Sequence, residues 1–196
     1  MKKPLIASDI DGVLIDWMNP FINHVNSAFG YSLTYQDCHT HTLTDLLQVD
    51  FDRLVEICND FEEKVGYAGQ LFMEDGYQGL KDLQEDFDLV FITSRPHSYE
   101  EYTTQLIRDH FGSTVVFAHG AKMEYGTKGA RKKKWQLADE LGALYLIEDN
   151  PHEFDGWQAA TKPICHKQPW NATLLEMHPD IPHVTWDEIP SIIRGR

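Results

Sequence analysis

Apolar residues follow two rhythms along the chain. Five short runs are apolar almost throughout and are bounded by polar residues or Gly: 4–8 (PLIAS), 87–93 (FDLVFIT), 114–117 (TVVF), 143–148 (ALYLIE) and 163–166 (PICH). Runs this short and continuous read as strands buried on both faces. Between them lie amphipathic stretches such as 99–110 and 131–141, the latter followed by Gly142 where a helix C-terminus is expected. Strand and helix in alternation predict an α/β fold, a Rossmann-like parallel sheet flanked by helices.

The texture changes over 17–76. There Phe51, Leu54, Val55, Cys58, Phe61 and Val65 recur at helical spacing, and no run reads as a strand. This is a helical insertion after the first strand, too long for an ordinary βα loop and placed over that strand's carboxyl end, where it can act as a lid. The organisation predicted is a core of 1–16 and 77–196 with an inserted segment of 17–76. Near the C-terminus, 184–189 and the residues after Pro190 read as a short strand or turn and a docking helix, with Trp186 in the core.

Composition narrows the function classes. With 196 residues, 42% hydrophobic and 24% charged, the chain is an ordinary globular protein of one domain or one with an insertion. Lys and Arg number 17 against 31 Asp and Glu, a formal charge of −14. Such a surface repels polyanions, so a duplex nucleic acid is excluded as a partner. A small anionic substrate would have to be met locally by a divalent cation, backbone N–H groups or a few placed cations.

Cys38, Cys58 and Cys165 are odd in number and widely spaced, with no CxxC, which argues against a disulfide framework or a structural zinc. The first apolar stretch is broken by Ser8 and Asp9, too soon for a signal-peptide core, and no stretch approaches ~20 apolar residues. The expectation is a soluble cytoplasmic protein without a membrane partner.

Charged and hydroxyl residues gather at the ends of these runs. The first run ends in Asp9-Ile10-Asp11-Gly12, two carboxylates one residue apart followed by a Gly that permits a tight turn. One carboxylate can attack phosphorus while the other protonates the leaving oxygen, provided a cation relieves the repulsion between carboxylate and phosphate. DxDG also occurs in solvated turns and calcium loops.

The second run ends in Thr93-Ser94-Arg95-Pro96, offering hydroxyls and N–H groups to a phosphate and, at Arg95, a fork for a substrate anion. Thr and Ser also cap helices often. Lys128 and 131–134 (RKKK) form the one strong basic cluster, at the start of a predicted helix where the macrodipole disfavours cations. Lys134 shares a face with Ala138 and Leu141 and is the favoured inward residue, with Lys132 next. The fourth run ends in Glu148-Asp149, and two acidic strand ends side by side suggest Mg²⁺.

Taken in order, Asp9-x-Asp11-Gly12-Val13, Thr93, a Lys and Glu148-Asp149 resemble the haloacid dehalogenase (HAD) superfamily of Mg²⁺-dependent phosphohydrolases, over nearly the whole chain. The resemblance implies a sheet of order 3-2-1-4-5 with a small C1-type helical cap. It implies Asp9 as the nucleophile that becomes an aspartyl-phosphate, Asp11 as general acid/base, and Thr93 with Lys134 or Lys132 as phosphate holders. The metal would be held by the Asp9 carboxylate, the Asp11 backbone carbonyl and either Asp149 or Glu148. True dehalogenases lack the second Asp, so Asp11 points to phosphoryl transfer.

DGVLIDW, ITSRP, IEDNP and QPWN are similar to the 5′(3′)-deoxyribonucleotidase-like branch, which implies a nucleoside monophosphate as the small phosphorylated partner. That branch usually carries two Asp where this chain has Glu148-Asp149. Other small esters such as sugar phosphates, and a non-catalytic module that binds metal and a phospholigand, are the alternatives. A response-regulator receiver has similar residues in a different order. In the insertion, Trp17, Phe21, Tyr31, Tyr35, His39 and His41 are available to a base, although packing is the commoner use of such residues, and the insertion could close in cis or against the second subunit of a homodimer.

Overall fold

Each continuous apolar run becomes a strand of one parallel sheet in the computed structural model, which describes residues 3–118 and 132–195. Lys128 and Arg131 of the basic cluster lie outside the described residues. The strands are β1 (Leu5–Ser8), β4 (Asp88–Thr93), β5 (Thr114–Phe117), β6 (Tyr145–Glu148), β7 (Lys162–His166) and β8 (His183–Val184). Their spatial order is β5-β4-β1-β6-β7-β8, all parallel. This is the expected 3-2-1-4-5 order with a two-residue strand added at the β7 edge.

The runs are apolar throughout because successive residues serve opposite faces. Ile6, Phe91, Ile147 and Ile164 face one layer, where they meet Leu80 and Leu83 of α4 (Glu74–Leu83), Ile107 and Phe111 of α5 (Glu100–Phe111), Trp186, and Ile189 and Ile193 of the C-terminal helix (Ile189–Arg194). Ala7, Val90, Ile92 and Leu146 face the other layer and Ala138 of α6 (Lys134–Glu140). Each fully buried Phe, Leu or Ile here contributes roughly 1.5–3 kcal/mol. Gly142 follows α6 in the left-handed conformation, its N–H on the Asp139 carbonyl, as the sequence predicts.

The insertion holds α1 (Met18–Phe29), α2 (Leu43–Leu47) and α3 (Phe51–Lys64), packed around Phe21, Ile22, Val25, Leu46, Leu47, Ile57 and Phe61. Asp50 caps α3 by accepting the Arg53 N–H. Trp170, from the turn after β7, completes this second core and so joins it to the sheet.

Two features depart from the sequence reading. The inserted segment is not free of strand: Leu71–Phe72 (β3) pairs antiparallel with Ile15–Asp16 (β2) at its base. Two residues are too few to display a period-2 pattern, so this ribbon is invisible in the sequence. In addition, α4 begins at Glu74 and straddles the expected boundary at residue 76, while Leu80 and Leu83 pack in the sheet layer. Among the described residues no helix is long and apolar enough to cross a membrane.

Candidate active site

The carboxyl ends of β1, β4 and β6 are adjacent in the sheet, so their terminal residues converge at one edge. Asp9 leaves β1 with its N–H bonded to the Ile147 carbonyl at 2.9 Å and its side chain buried. Its Oδ2 lies 2.5 Å from Lys134 Nζ, and the same ammonium lies 2.9 Å from Glu148 Oε2. Lys134 opens α6 and is itself anchored, its backbone N–H donating to Glu153 Oε2 at 2.8 Å. Burial opposes the lysine charge, yet Asp9, Glu148 and Glu153 outweigh it and hold the ammonium above its usual range.

Glu148 and Asp149 divide their tasks. Glu148 Oε1 accepts the N–H groups of Asp149 and Asn150 at 3.0 and 2.9 Å, and Oε2 holds Lys134, so this carboxylate shapes the turn and orients the lysine. Asp149 faces the cavity and accepts the Trp170 indole N–H on Oδ2 at 2.7 Å. Asn171 secures the same turn by donating to the Asp149 and His166 carbonyls at 2.8 and 2.9 Å.

Asp11 lies beyond β1 in a tight turn closed by Gly12, whose N–H bonds the Ile15 carbonyl and whose φ is +79°. A Cβ at Gly12 would stand 2.3 Å from Asp149 Oδ2, so only glycine allows both the left-handed turn and the close approach of that carboxylate. The Gly12 carbonyl is fixed by Gln168 Nε2 at 2.8 Å and the His166 ring at 3.0 Å.

The electrostatics have one sign in excess. Carboxylate oxygens of Asp9, Glu148 and Asp149 lie within 4.8 Å of one another, all buried, and among the described residues this is the sole such group. Among the described residues Lys134 alone sits among them, because the Arg95 charge is matched by Asp11. Burial, then Glu148, pushes the Asp9 carboxyl well above its usual range, and burial with Asp9 pushes Asp149 up to about 7. Three buried carboxylates around one ammonium fit a hard divalent cation: oxygen donors and surplus negative charge are its requirements.

A cavity of about 240 Å³ opens above this floor. Asp9, Asp11, Ser94, Arg95, Lys134 and Asp149 line it together with His41 and the largely apolar Trp17, Met18, Leu43, Tyr67 and Trp170. Ser94 Oγ is buried without a hydrogen-bond partner. Thr93 is buried beside it, its Oγ1 accepting the Arg95 N–H at 3.1 Å.

Placement bears on two sequence expectations. Lys132, two residues before α6, turns outward and pairs with Glu140 at 2.7 Å on the exposed surface, so among the described residues Lys134 is the lysine that reaches the cluster. Arg95 does not present its fork to the cavity: the fork grips Asp11, with Nε on Oδ2 at 2.8 Å and Nη2 on Oδ1 at 2.6 Å. Cys38 is buried and His39 bonds the Asp37 carbonyl, so neither is part of this cluster. Tyr67, Gln70 and Gln168 were not singled out as site residues by the sequence, since only the fold brings them to Arg95 and Gly12.

Sheet order and flanking helices describe a Rossmann-like α/β fold, similar to that of haloacid dehalogenase-like hydrolases. No protein-family model matches the chain. Its structure is similar to that of the haloacid dehalogenase-like family hydrolase SP0104 from Streptococcus pneumoniae, with 14% identity, a TM-score of 0.67 and coverage of 97% of this chain and 98% of that one. A protein of Lactobacillus delbrueckii subsp. bulgaricus, named as a candidate phosphoglycolate phosphatase, matches at 18% identity and TM-score 0.62 over 100% of both chains. In sequence, YqfW of Bacillus subtilis (strain 168), named as a candidate nucleotidase, is 29% identical over 90 residues. That match spans 46% of each protein, about half the length of the curated relative.

Proposed function

We propose that the protein is a Mg²⁺-dependent phosphate monoester hydrolase that works through an aspartyl-phosphate, with a nucleoside monophosphate as its substrate. The observation that carries the reading is the buried cluster itself: Asp9, Glu148 and Asp149 around the ammonium of Lys134. Asp9 and Asp149 supply the carboxylates that would hold the cation, and when bound it neutralises phosphate charge as an electrophile.

Asp9 sits at the strand end and attacks phosphorus, forming an O–P bond as the ester P–O bond breaks. Asp11, in its protonated form, gives its proton to the departing alkoxide. In the second half Asp11 takes a proton from water, whose oxygen attacks the phosphorus of the Asp9 acyl phosphate, releasing inorganic phosphate and restoring the carboxylate. Lys134 offsets charge on Asp9 and the transferring group, Glu148 keeps Lys134 in place, and the unpartnered Ser94 hydroxyl is available to a phosphate oxygen. The inserted helices roof the cavity and limit its water.

The choice of a nucleotide rests on the aromatic wall of Trp17, Tyr67 and Trp170, on the similarity of four short motifs to the deoxyribonucleotidase-like branch, and on the name of the Bacillus relative. The test is phosphate release from a panel of nucleoside monophosphates and sugar phosphates, with Mg²⁺ and with EDTA, for the wild type and Asp9→Asn. Mg²⁺-dependent release from nucleotides, lost in the variant, is the expected result. Release from sugar phosphates alone would retain the chemistry and overturn the substrate. Mg²⁺ binding with no release from any ester would favour a non-catalytic phospholigand-binding module.

A further inference from the structure

Arg95 is the most heavily engaged side chain near the cavity. It is 2% exposed, and its guanidinium meets four side chains. Beyond the fork on Asp11, Nη2 donates to Gln70 Oε1 at 3.1 Å and Nη1 to Thr103 Oγ1 at 3.3 Å, while the plane lies 4.3 Å from the centre of the Tyr67 ring. Four of the five N–H donors of an arginine are thus spent on protein. Such a group cannot offer a fork to a substrate anion without releasing Asp11 and leaving a buried charge short of partners.

Its partners come from three places. Asp11 follows β1, Thr103 is in α5, and Tyr67 and Gln70 form the stretch by which the chain leaves the inserted helices just before β3. Tyr67 also lines the cavity, so a substrate there touches the same stretch that Arg95 holds. A guanidinium is planar and has no internal joint. The stretch 67–70 and the Asp11 carboxylate therefore meet at one planar group, and a shift of either pulls on the other through it.

We infer that Arg95 is a positioning residue that couples the exit of the inserted helices to Asp11, so that occupation of the cavity against Tyr67 sets the direction in which Asp11 points. For Asp11 as a proton donor the inference rests on the phosphohydrolase reading above; the mechanical link from Asp11 to 67–70 does not. The coupling acts on a proton transfer, so its loss falls on esters whose leaving group needs that proton.

The test compares an alkyl phosphate, a nucleoside 5′-monophosphate, with 4-nitrophenyl phosphate, whose phenolate leaves without help. Arg95→Lys keeps the charge and removes the fork. It should lower kcat on the alkyl ester by on the order of 100-fold and on the aryl ester by about threefold, with KM little changed. Gln70→Leu, a milder change on the exit side, should show the same bias at about fivefold and serves if Arg95→Lys does not fold. Equal losses on both esters, or a loss confined to KM, would overturn the inference and return Arg95 to general packing or to substrate binding.

An arm that needs no turnover is backbone hydrogen exchange. Removing the carboxylate in Asp11→Ala should speed exchange of the amides of 67–70 by about tenfold and leave the core of α3 unchanged. Unchanged exchange at 67–70 would overturn the link even in an active enzyme. If the wild type hydrolyses neither ester while the exchange coupling is present, the phosphohydrolase reading has failed and the link stands.

Discussion

Trp170 donates its indole N–H to Asp149 Oδ2 at 2.7 Å while its ring lies 5.6 Å from that of Tyr35 in the inserted segment. One side chain thus orients a carboxylate of the cluster and forms part of the core of the inserted helices. Trp170→Phe keeps most of the apolar volume and deletes the bond. Loss of such an outer partner typically weakens metal binding by about 10–100-fold, and calorimetric titration with Mg²⁺ should show a drop of that order. Unaltered affinity would mean that Asp149 is not among the ligands.

Asp9→Asn should abolish phosphate release. It also removes one charge from a crowded cluster whose burial holds Asp9 well above its usual range, and Lys134 retains Glu148 as a partner. Metal-free thermal melting should therefore stay within about 1 kcal/mol of wild type or improve. Near wild-type turnover would remove Asp9 from the role of nucleophile.

Lys134→Met should have the opposite character. The substitution leaves Asp9 and Glu148 buried with no cation between them. Breaking a buried pair in this way costs about 3–5 kcal/mol, measurable by chemical denaturation in EDTA. An unchanged midpoint would show that the ammonium is not what balances the cluster.

The carboxyl of Asp149 is pushed up to about 7 by burial and by Asp9. Its value is raised in the folded state, so the associated stability is fully present below the ordinary carboxylate range and is lost as pH rises through about 7. A cation that binds the ionised cluster offsets that loss and competes with protons below it. The rise in Tm on adding Mg²⁺ should be small near pH 5 and grow to a plateau near pH 8, as followed by scanning fluorimetry with and without the metal. A shift that shrinks with rising pH would count against metal binding at this cluster.

What the sequence made legible was whatever is local. Asp9, Asp11, Thr93 and Asp149 stand out because a continuous apolar run points straight at each of them, whereas the strand order is implied by the family resemblance and not by the runs. Lys134 could be preferred over Lys132 because it shares a helix face with Ala138, and the pairing of Lys132 with Glu140 agrees with that preference. What escaped is long-range or too brief to have a rhythm. The grip of Arg95 on Asp11 spans 84 residues, and nothing local distinguishes an arginine that will hold a carboxylate from one that will hold a substrate anion. Gln168 reaches the Gly12 carbonyl across 156 residues, and the β2–β3 ribbon is two residues a side.

That ribbon has a further consequence. Because Ile15–Asp16 lies against Leu71–Phe72, the chain departs for its excursion and comes back at the same spot, two rungs wide. The sheet register is indifferent to how long the detour is or what it is made of, since the two ends are already paired. The intervening stretch is therefore held at its base by four residues, independently of the contacts that Trp170 and Arg95 make to it from the site.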